Sequence, residues 1–281
     1  MFHLSFIALC CASIITCSPT KNHVFELDVE YPPSTDQDST VNFVSTKNRI
    51  INGVDAPNTP WVARIIINYN RTQISSTSFY LVIVSDCGGS LVSPHWVLSA
   101  RHCFFDGDDQ TKLTTNKFWV SVGNVDFFRG QIIPASNVAV FNQYNNGDDL
   151  ALLRLVNDVS IQPISVQYDD NINYEGKRAT IYGWGWTETF HRSPRVLQTA
   201  DVVLYGRDQC DRNQVCANPT ITKTNACQSD SGGPLVLQEN GKLIGIVAAG
   251  LVVNDVPCQG DKSFYTSTSY YASWIQRIIQ D

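Results

Sequence analysis

The sequence lacks the features that indicate binding of nucleic acid, membranes or cofactors. Its 20 Lys and Arg residues are outnumbered by 26 Asp and Glu, and no basic run occurs, which argues against nucleic acid and anionic membrane surfaces. After the N-terminus, no stretch is long and apolar enough to span a bilayer. Phosphate-binding loops, nucleotide fingerprints and a cofactor lysine are also absent, so we expect no cofactor.

Metal-binding patterns are weak as well. The chain has nine cysteines but no Cys-x-x-Cys pair, which makes a zinc site the weaker interpretation of them. Asp106, Asp108 and Asp109 do not follow the spacing of an EF-hand loop, and an exposed acidic loop explains them better. We therefore predict no metal site.

The N-terminal segment contains three of the nine cysteines. Residues 1–18 have a short apolar centre and no acidic residue, which predicts a secretory signal peptide over residues 1–17, although the usual positive charge is missing. The alternative is a membrane anchor, for which the segment is short. Removal of residues 1–17 leaves six cysteines, and an even number is typical of a secreted, disulfide-bonded protein.

The most informative stretch is Cys227-Gln228-Ser229-Asp230-Ser231-Gly232-Gly233-Pro234. Its two glycines allow a sharp turn, from which the hydroxyl of Ser231 projects. A serine hydroxyl needs a base to act as a nucleophile. A histidine, His102, follows an apolar run, and an aspartate, Asp149, precedes another, so the chain order is histidine, aspartate, serine.

With these three segments, the sequence resembles the chymotrypsin-like (trypsin-like) serine endopeptidases from Ile50 to the C-terminus. The resemblance implies that His102 is the general base, that Asp149 orients it, and that Ser231 is the nucleophile. Asp148 lies beside Asp149. The acid of the family motif directly precedes the apolar run, so we assign Asp149 and expect Asp148 to be solvated.

The family fold implied is all-β, with two antiparallel six-stranded Greek-key barrels at roughly 50–165 and 166–281, and a C-terminal helix. Short runs rich in Val, Ile and aromatic residues, separated by Gly, Asn, Asp and Ser, predict strands from the residues themselves. Apolar residues on one face predict a helix over Tyr270 to Ile279. The expected strands are Trp61–Ile67, Phe79–Val84, Ser90–Val92, Trp96–Ala100, Phe118–Val122, Leu150–Val156, Arg178–Tyr182, Val196–Leu204, Pro234–Leu237, Leu243–Ala248 and Phe264–Ser267.

The resemblance also implies an activation step. Residues 18–48 are polar, which suggests a flexible segment without a core of its own. Lys47-Asn48-Arg49 is followed by Ile50, and the resemblance implies that residues 18–49 are a propeptide that is cleaved after Arg49. The new ammonium group of Ile50 would then pair with Asp230, and residues 50–281 would form the peptidase domain. The alternative is that Arg49 is an ordinary loop residue.

Two parts of the site depart from the family. The oxyanion hole implied is formed by the N–H groups of Ser229 and Ser231, but the family has glycine where Ser229 stands. Ala248 and Ala249 replace a serine and a tryptophan that adjoin the triad aspartate and the substrate.

The substrate pocket implied contains a neutral Asn225 where trypsin-like members have aspartate. We therefore predict a preference for uncharged or apolar side chains of medium size. The expected pocket residues are Asn225, Ala226, Gln228, Gly250 and Ser263.

Six cysteines allow 15 pairings. The resemblance selects Cys87 with Cys103 and Cys227 with Cys258, which leaves Cys210 with Cys216. The polar insertion Asn68 to Thr77, expected as an exposed loop, contains the glycosylation acceptor Asn70-Arg71-Thr72. Gly183-Trp184-Gly185 matches a structural turn of the family.

The resulting prediction is a secreted, monomeric serine endopeptidase made as a zymogen. Its partners are a protein or peptide substrate, an activating trypsin-like protease and a protein inhibitor. The alternative is a protease-like binding protein with impaired catalysis, suggested by Ser229, Ala248 and Ala249. An esterase of the α/β-hydrolase type has the order serine, acid, histidine and is disfavoured.

Overall fold

Most of the regular secondary structure among the described residues is β-strand. The computed structural model describes residues 50, 52–67, 70–73, 79–82, 85–105, 111–141, 148–185, 194–227, 229–250 and 260–280. No helix among these residues has the length and apolar character needed to cross a membrane.

Six strands form a closed antiparallel barrel in the N-terminal half. They are β2 (Val62–Ile67), β5 (Ser85–Ser93), β6 (Trp96–Ser99), β7 (Phe118–Val122), β8 (Gln131–Val140) and β9 (Ala151–Leu155). The hydrogen-bonded order is β2-β5-β6-β9-β8-β7. Large apolar side chains such as Ile65, Leu98 and Leu152 are fully buried inside this barrel.

The second barrel is built from the C-terminal half. Its strands are β10 (Arg178–Gly183), β11 (Gln198–Leu204), β12 (Gln214–Asn218), β13 (Pro234–Leu237), β14 (Leu243–Gly250) and β15 (Ser263–Ser267). They pair antiparallel as β11-β10-β13-β14-β15-β12, and pairing of β11 with β12 closes the ring. The predicted pair of six-stranded barrels is therefore confirmed.

The two ends of the described chain cross between the barrels. The short strand β1 (Val54–Asp55) pairs with β11 of the second barrel. The C-terminal helix α2 (Ala272–Ile279), also predicted, packs against the first barrel, where Tyr271 and Ile275 join the buried core. Strand β1, which leads into the first barrel, thus covers the second barrel, and helix α2, which follows the second barrel, covers the first.

Some elements differ from the sequence prediction. The insertion expected as a loop contains β3 (Asn70–Gln73), which pairs with β4 (Phe79–Val82) in a separate hairpin. Strands β8 and β12 were not predicted. Within β8, Pro134 cannot donate a ladder hydrogen bond and a bulge lies between Ala135 and Asn137, so the alternation that marks a strand is interrupted. A four-residue helix, α1 (Pro219–Thr222), follows β12.

Candidate active site

His102 lies in a 3-10 turn, Arg101–Phe104, that begins directly after β6. A disulfide between Cys103 and Cys87 fastens this turn to β5. The carboxylate of Asp149 contacts His102 at two points: Oδ2 is 2.7 Å from the ring Nδ1, and Oδ1 accepts from the backbone N–H at 2.9 Å. These two contacts fix both the position and the rotation of the imidazole. Neither of them involves the second ring nitrogen, Nε2.

Ser231 lies in a tight turn that precedes β13. The N–H of Gly88, in β5, donates to the carbonyl oxygen of Ser231 at 2.7 Å. Gly232 has φ of +79°, and a Cβ built there would lie 2.1 Å from Oγ of Ser99, which stands three residues before His102. Glycine is required at this position, and the Ser231 turn packs directly on the segment that carries His102.

Ser229 adopts a left-handed backbone conformation with φ of +68°. For a residue with a Cβ this conformation costs about 1–2 kcal/mol. The family glycine expected here would adopt it without that strain. The side chain of Ser229 therefore strains the turn in which the backbone N–H groups of the predicted oxyanion hole lie.

The side chain of Asp230 points inward and is buried, with 1% of the residue exposed. Its carboxylate accepts hydrogen bonds from the backbone N–H groups of Gly185 and Cys227, both at 2.8 Å. A Cβ at Gly183 or Gly185 would lie within 2.8 Å of Asp230 side-chain atoms, so both glycines make room for the carboxylate. Burial raises the pKa of Asp230 to about 7, and the negative charge of Asp86 adds to the rise.

Asp86 itself belongs to a buried ion pair. Its Oδ2 lies 2.6 Å from the guanidinium of Arg64, and the side chains are 11% and 7% exposed respectively. The same guanidinium stacks 4.2 Å above the ring of Phe127.

Ile50 is buried in the second barrel, with 1% of the residue exposed. It belongs to the same apolar cluster as Ala179 and Ala226, and its carbonyl accepts from the N–H of Gly53 at 2.6 Å. Arg49, the predicted cleavage position, lies outside the described residues.

Two of the predicted pocket residues are joined by a hydrogen bond. Ser263 Oγ donates to Asn225 Oδ1 at 2.6 Å, and each residue is 2% exposed. Gly250 pairs with Ser263 across strands β14 and β15, and Ala226 is buried next to Asn225. Gln228 lies outside the described residues.

The cysteine pairing agrees with the expectation where it is described. Cys87–Cys103 and Cys210–Cys216 are disulfides, and Cys227 is disulfide-bonded as well. Its expected partner, Cys258, lies outside the described residues, as do Asp106, Asp108 and Asp109. Asn70, the predicted glycosylation acceptor, begins strand β3. Within the described chain, Cys87, His102 and Cys103 form the one cluster of potential metal ligands, but the disulfide occupies both sulfurs.

Asp148 is not solvated, contrary to the sequence prediction. The residue is 4% exposed, and its carboxylate accepts from the hydroxyl of Tyr271 and, at 3.2 Å, from Nδ2 of Asn213. The backbone carbonyl of Asp149 accepts from Oγ1 of Thr266 at 3.0 Å. Sequence reasoning missed these partners because they lie more than 60 residues from the aspartates.

Comparison with known proteins identifies the family and the fold. The family model described as Trypsin matches residues 50–275. The urokinase-type plasminogen activator of Gallus gallus is 29% identical over 249 residues, which cover 77% of this chain and 54% of that protein. The chain thus spans about half the length of this curated relative.

Solved structures show the same fold at lower identity. HL collagenase has a TM-score of 0.66 and 24% identity, over 83% of this chain and 99% of that one. A mutant of human heparin binding protein has a TM-score of 0.65 and 24% identity, over 83% of this chain and 97% of that one. From the family match across both barrels, we conclude that the chain belongs to the trypsin family of serine proteases.

Proposed function

We propose that the chain is a serine endopeptidase that hydrolyses peptide bonds through an acyl-enzyme on Ser231. The two-point contact between Asp149 and His102 is the observation that carries this proposal. The hydrogen bond from Gly88 to Ser231 supports it, because it holds the serine turn on the strand that the Cys87–Cys103 disulfide joins to His102.

In the proposed reaction, Ser231 Oγ forms a bond to the carbonyl carbon of the scissile peptide while His102 Nε2 takes the hydroxyl proton. The oxyanion that forms is stabilised by the N–H groups of Ser229 and Ser231. The C–N bond then breaks as His102 returns the proton to the leaving amine. Water attacks the resulting ester by the same route, which regenerates Ser231 and releases the acid. Asp149 stabilises the imidazolium at both stages.

Activation by cleavage after Arg49 explains the environment of Asp230. A carboxylate buried with backbone N–H donors is stabilised further by an opposite charge. Cleavage converts the amide nitrogen of Ile50 into an ammonium group, and the side chain of Ile50 is already buried in the same barrel. We propose that this ammonium pairs with Asp230 and settles the turn that carries Ser229 and Ser231.

The remaining features of the proposal follow from the sequence. Residues 1–17 act as a signal peptide, residues 18–49 as a propeptide and residues 50–281 as the peptidase domain. The protein is secreted, carries its disulfides outside the cell and is glycosylated at Asn70. It acts as a monomer on a protein or peptide substrate, and a trypsin-like protease activates it.

The Asn225–Ser263 hydrogen bond supports a pocket for uncharged side chains. Asn225 carries no charge with which to neutralise a buried Lys or Arg, and its Oδ1 already accepts from Ser263. We propose that the substrate residue before the scissile bond is uncharged or apolar and of medium size.

The function is tested with a peptide library and protein cleaved at Arg49–Ile50. We expect hydrolysis after uncharged residues, and no hydrolysis by the matched Ser231→Ala protein. In Asn225→Asp, which places an anion in the pocket, cleavage after Lys or Arg should increase relative to the parent. Hydrolysis that persists in Ser231→Ala would contradict the proposed nucleophile.

A protease-like binding protein is the second candidate, and the strained Ser229 is the observation that favours it. A displaced oxyanion donor lowers turnover by about 10²–10³. The human heparin binding protein has the same fold, so the fold by itself does not distinguish the two candidates. Correctly cleaved protein that binds peptides without hydrolysing them would favour this second function.

A further inference from the structure

Asp148 is a buried carboxylate immediately before the predicted triad acid, and the proposed reaction gives it no proton to transfer. Its Oδ1 accepts from Asn213 Nδ2 at 3.2 Å and from the hydroxyl of Tyr271. Asn213 Nδ2 also donates to the Tyr271 oxygen at 3.2 Å. The three side chains therefore form a closed hydrogen-bonded triangle.

Both partners of Asp148 come from the C-terminal half of the chain. Asn213 immediately precedes β12, and its carbonyl accepts from the N–H of Ser267 at 2.9 Å. Tyr271 immediately precedes α2, and its ring packs edge-on against Phe141 at a centroid distance of 4.9 Å. These contacts fix both partners independently of Asp148.

The backbone of Asp149 is also held by the C-terminal half of the chain. Thr266, in β15, donates to the carbonyl oxygen of Asp149 at 3.0 Å. The side chain of Asp149 meanwhile points to His102 of the first barrel. The dipeptide Asp148-Asp149 is therefore anchored by the second barrel and α2 while it presents its second carboxylate to the imidazole.

Burial of a carboxylate costs more free energy than burial of an apolar side chain of similar volume. The presence of a carboxylate next to Asp149 is explained if the triangle fixes the backbone from which Asp149 projects. Tyr271 is suited to this, because burial and the hydrogen bond to Asp148 raise the pKa of its phenol and keep it a donor.

We propose that Asp148 is a positioning residue for the Asp149–His102 pair and that it acts through its hydrogen bonds to Tyr271 and Asn213. The proposal deepens the endopeptidase function and rests on it for any readout of activity. It makes a separate statement about the geometry of His102, which is measurable in protein without activity.

The test compares Asp148→Ala, Asp148→Asn and Tyr271→Phe in protein cleaved at Arg49–Ile50. Asparagine keeps an Oδ1 acceptor for both partners, whereas alanine removes it. We expect Asp148→Ala and Tyr271→Phe to lower kcat about 10- to 100-fold with KM little changed. Asp148→Asn should keep most of the parent kcat. Tyr270→Phe, which alters the exposed neighbour of Tyr271, is the matched control and should keep the parent kcat.

A spectroscopic readout separates this proposal from the proposed function. The proton on His102 Nδ1, hydrogen-bonded to Asp149, gives a downfield resonance in proton NMR spectra. We expect the resonance to be retained in Asp148→Asn and shifted or broadened in Asp148→Ala and Tyr271→Phe. If the cleaved parent neither hydrolyses peptides nor reacts with a fluorophosphonate, the proposed function is wrong, and the NMR comparison still decides the role of Asp148.

An unchanged resonance and unchanged kcat in folded Asp148→Ala would overturn the proposal, even if its melting temperature were lower. Should Asp148→Ala not fold, Tyr271→Phe decides in its place, because it removes one oxygen atom and keeps the packed ring.

Discussion

Ser229 combines a side chain with a backbone conformation that favours glycine. Two effects oppose each other when it is replaced by glycine. Strain of about 1–2 kcal/mol is relieved in the folded state, whereas the unfolded chain gains freedom worth about 0.4–1 kcal/mol. We expect Ser229→Gly to stabilise the protein slightly, by about 0.5–1 kcal/mol, and to react faster with a fluorophosphonate after cleavage at Arg49–Ile50.

Urea unfolding and the labelling rate check this prediction together. Lys223→Gly is the matched control, because Lys223 is exposed, has φ of +56° and immediately follows α1. The control should gain similar stability without any change in labelling. If Ser229→Gly is labelled no faster than the parent, a different residue limits activity. Ala248→Ser and Ala249→Trp would then be tested next.

Asp230 makes the stability of the uncleaved chain dependent on pH. An unfolded aspartate ionises near pH 4, whereas burial raises the pKa in the folded protein to about 7. Between these values the folded state retains a proton that the unfolded state has lost. The free energy of unfolding should therefore fall as the pH rises, by about 4 kcal/mol in total, and should level off above pH 7.

This dependence can be measured by urea unfolding of uncleaved Ser231→Ala protein at pH 5 and pH 8. Adding Asp230→Asn should flatten the difference, because the amide does not ionise. In the cleaved protein the ammonium of Ile50 should reduce the fall. A cleaved chain with the same pH dependence as the uncleaved chain would argue against the Ile50–Asp230 pair.

At the level of elements, the segment that follows β10 contacts the carboxylate of Asp230 and determines its position. A Cβ at Gly185 would lie 2.3 Å from Asp230 Cγ, a distance that requires one of the two segments to move. We expect Gly185→Ala to displace Asp230 and to slow fluorophosphonate labelling of the cleaved protein by about 10-fold or more, since the Ser231 turn continues directly from Asp230.

Gly241→Ala provides the control for this substitution. Gly241 has φ of +68°, and a Cβ there would meet nothing within 4 Å. The alanine should lower stability by about 1 kcal/mol through backbone strain and leave labelling unchanged. Equal labelling of Gly185→Ala and Gly241→Ala would mean that the position of Asp230 does not control the conformation of the Ser231 turn.

The elements that sequence predicts well are those with a strong local pattern. Helix α2 shows an apolar face, and β6 and β9 each begin with three consecutive apolar residues near His102 and Asp149. Strand β12 was missed because the polar residues Gln214 and Asn218 leave only three apolar residues between them, and β8 because Pro134 and a bulge break its alternation. Strand β3 was missed because its residues are polar and lie within the insertion that was expected to be a loop.

In the whole molecule, long-range contacts account for what sequence could not predict. His102, Asp149 and Ser231 could be predicted as a triad because each lies in a local motif. The burial of Asp148 depends on Tyr271, 123 residues away, and no local pattern indicates that contact. The crossing of β1 and α2 between the barrels likewise follows from tertiary packing alone.

The same crossing brings the residues next to the predicted activation site onto the second barrel. The buried Ile50 lies a few residues before β1, which pairs with the second barrel, while α2 supports the first barrel and Asp148. We therefore propose that cleavage before residue 50 acts on the barrel that contains Asp230 and Ser231. This arrangement underlies the proposal that one cleavage controls the reactivity of one serine.

Fluorophosphonate labelling before and after cleavage at Arg49–Ile50 tests that proposal most directly. The adduct is located by mass spectrometry, with Ser231→Ala as the control. We predict that only the cleaved parent is labelled, that the adduct is on Ser231, and that Asp230→Asn weakens labelling of the cleaved form. Equal labelling of cleaved and uncleaved protein, or none after verified cleavage of folded protein, would contradict it.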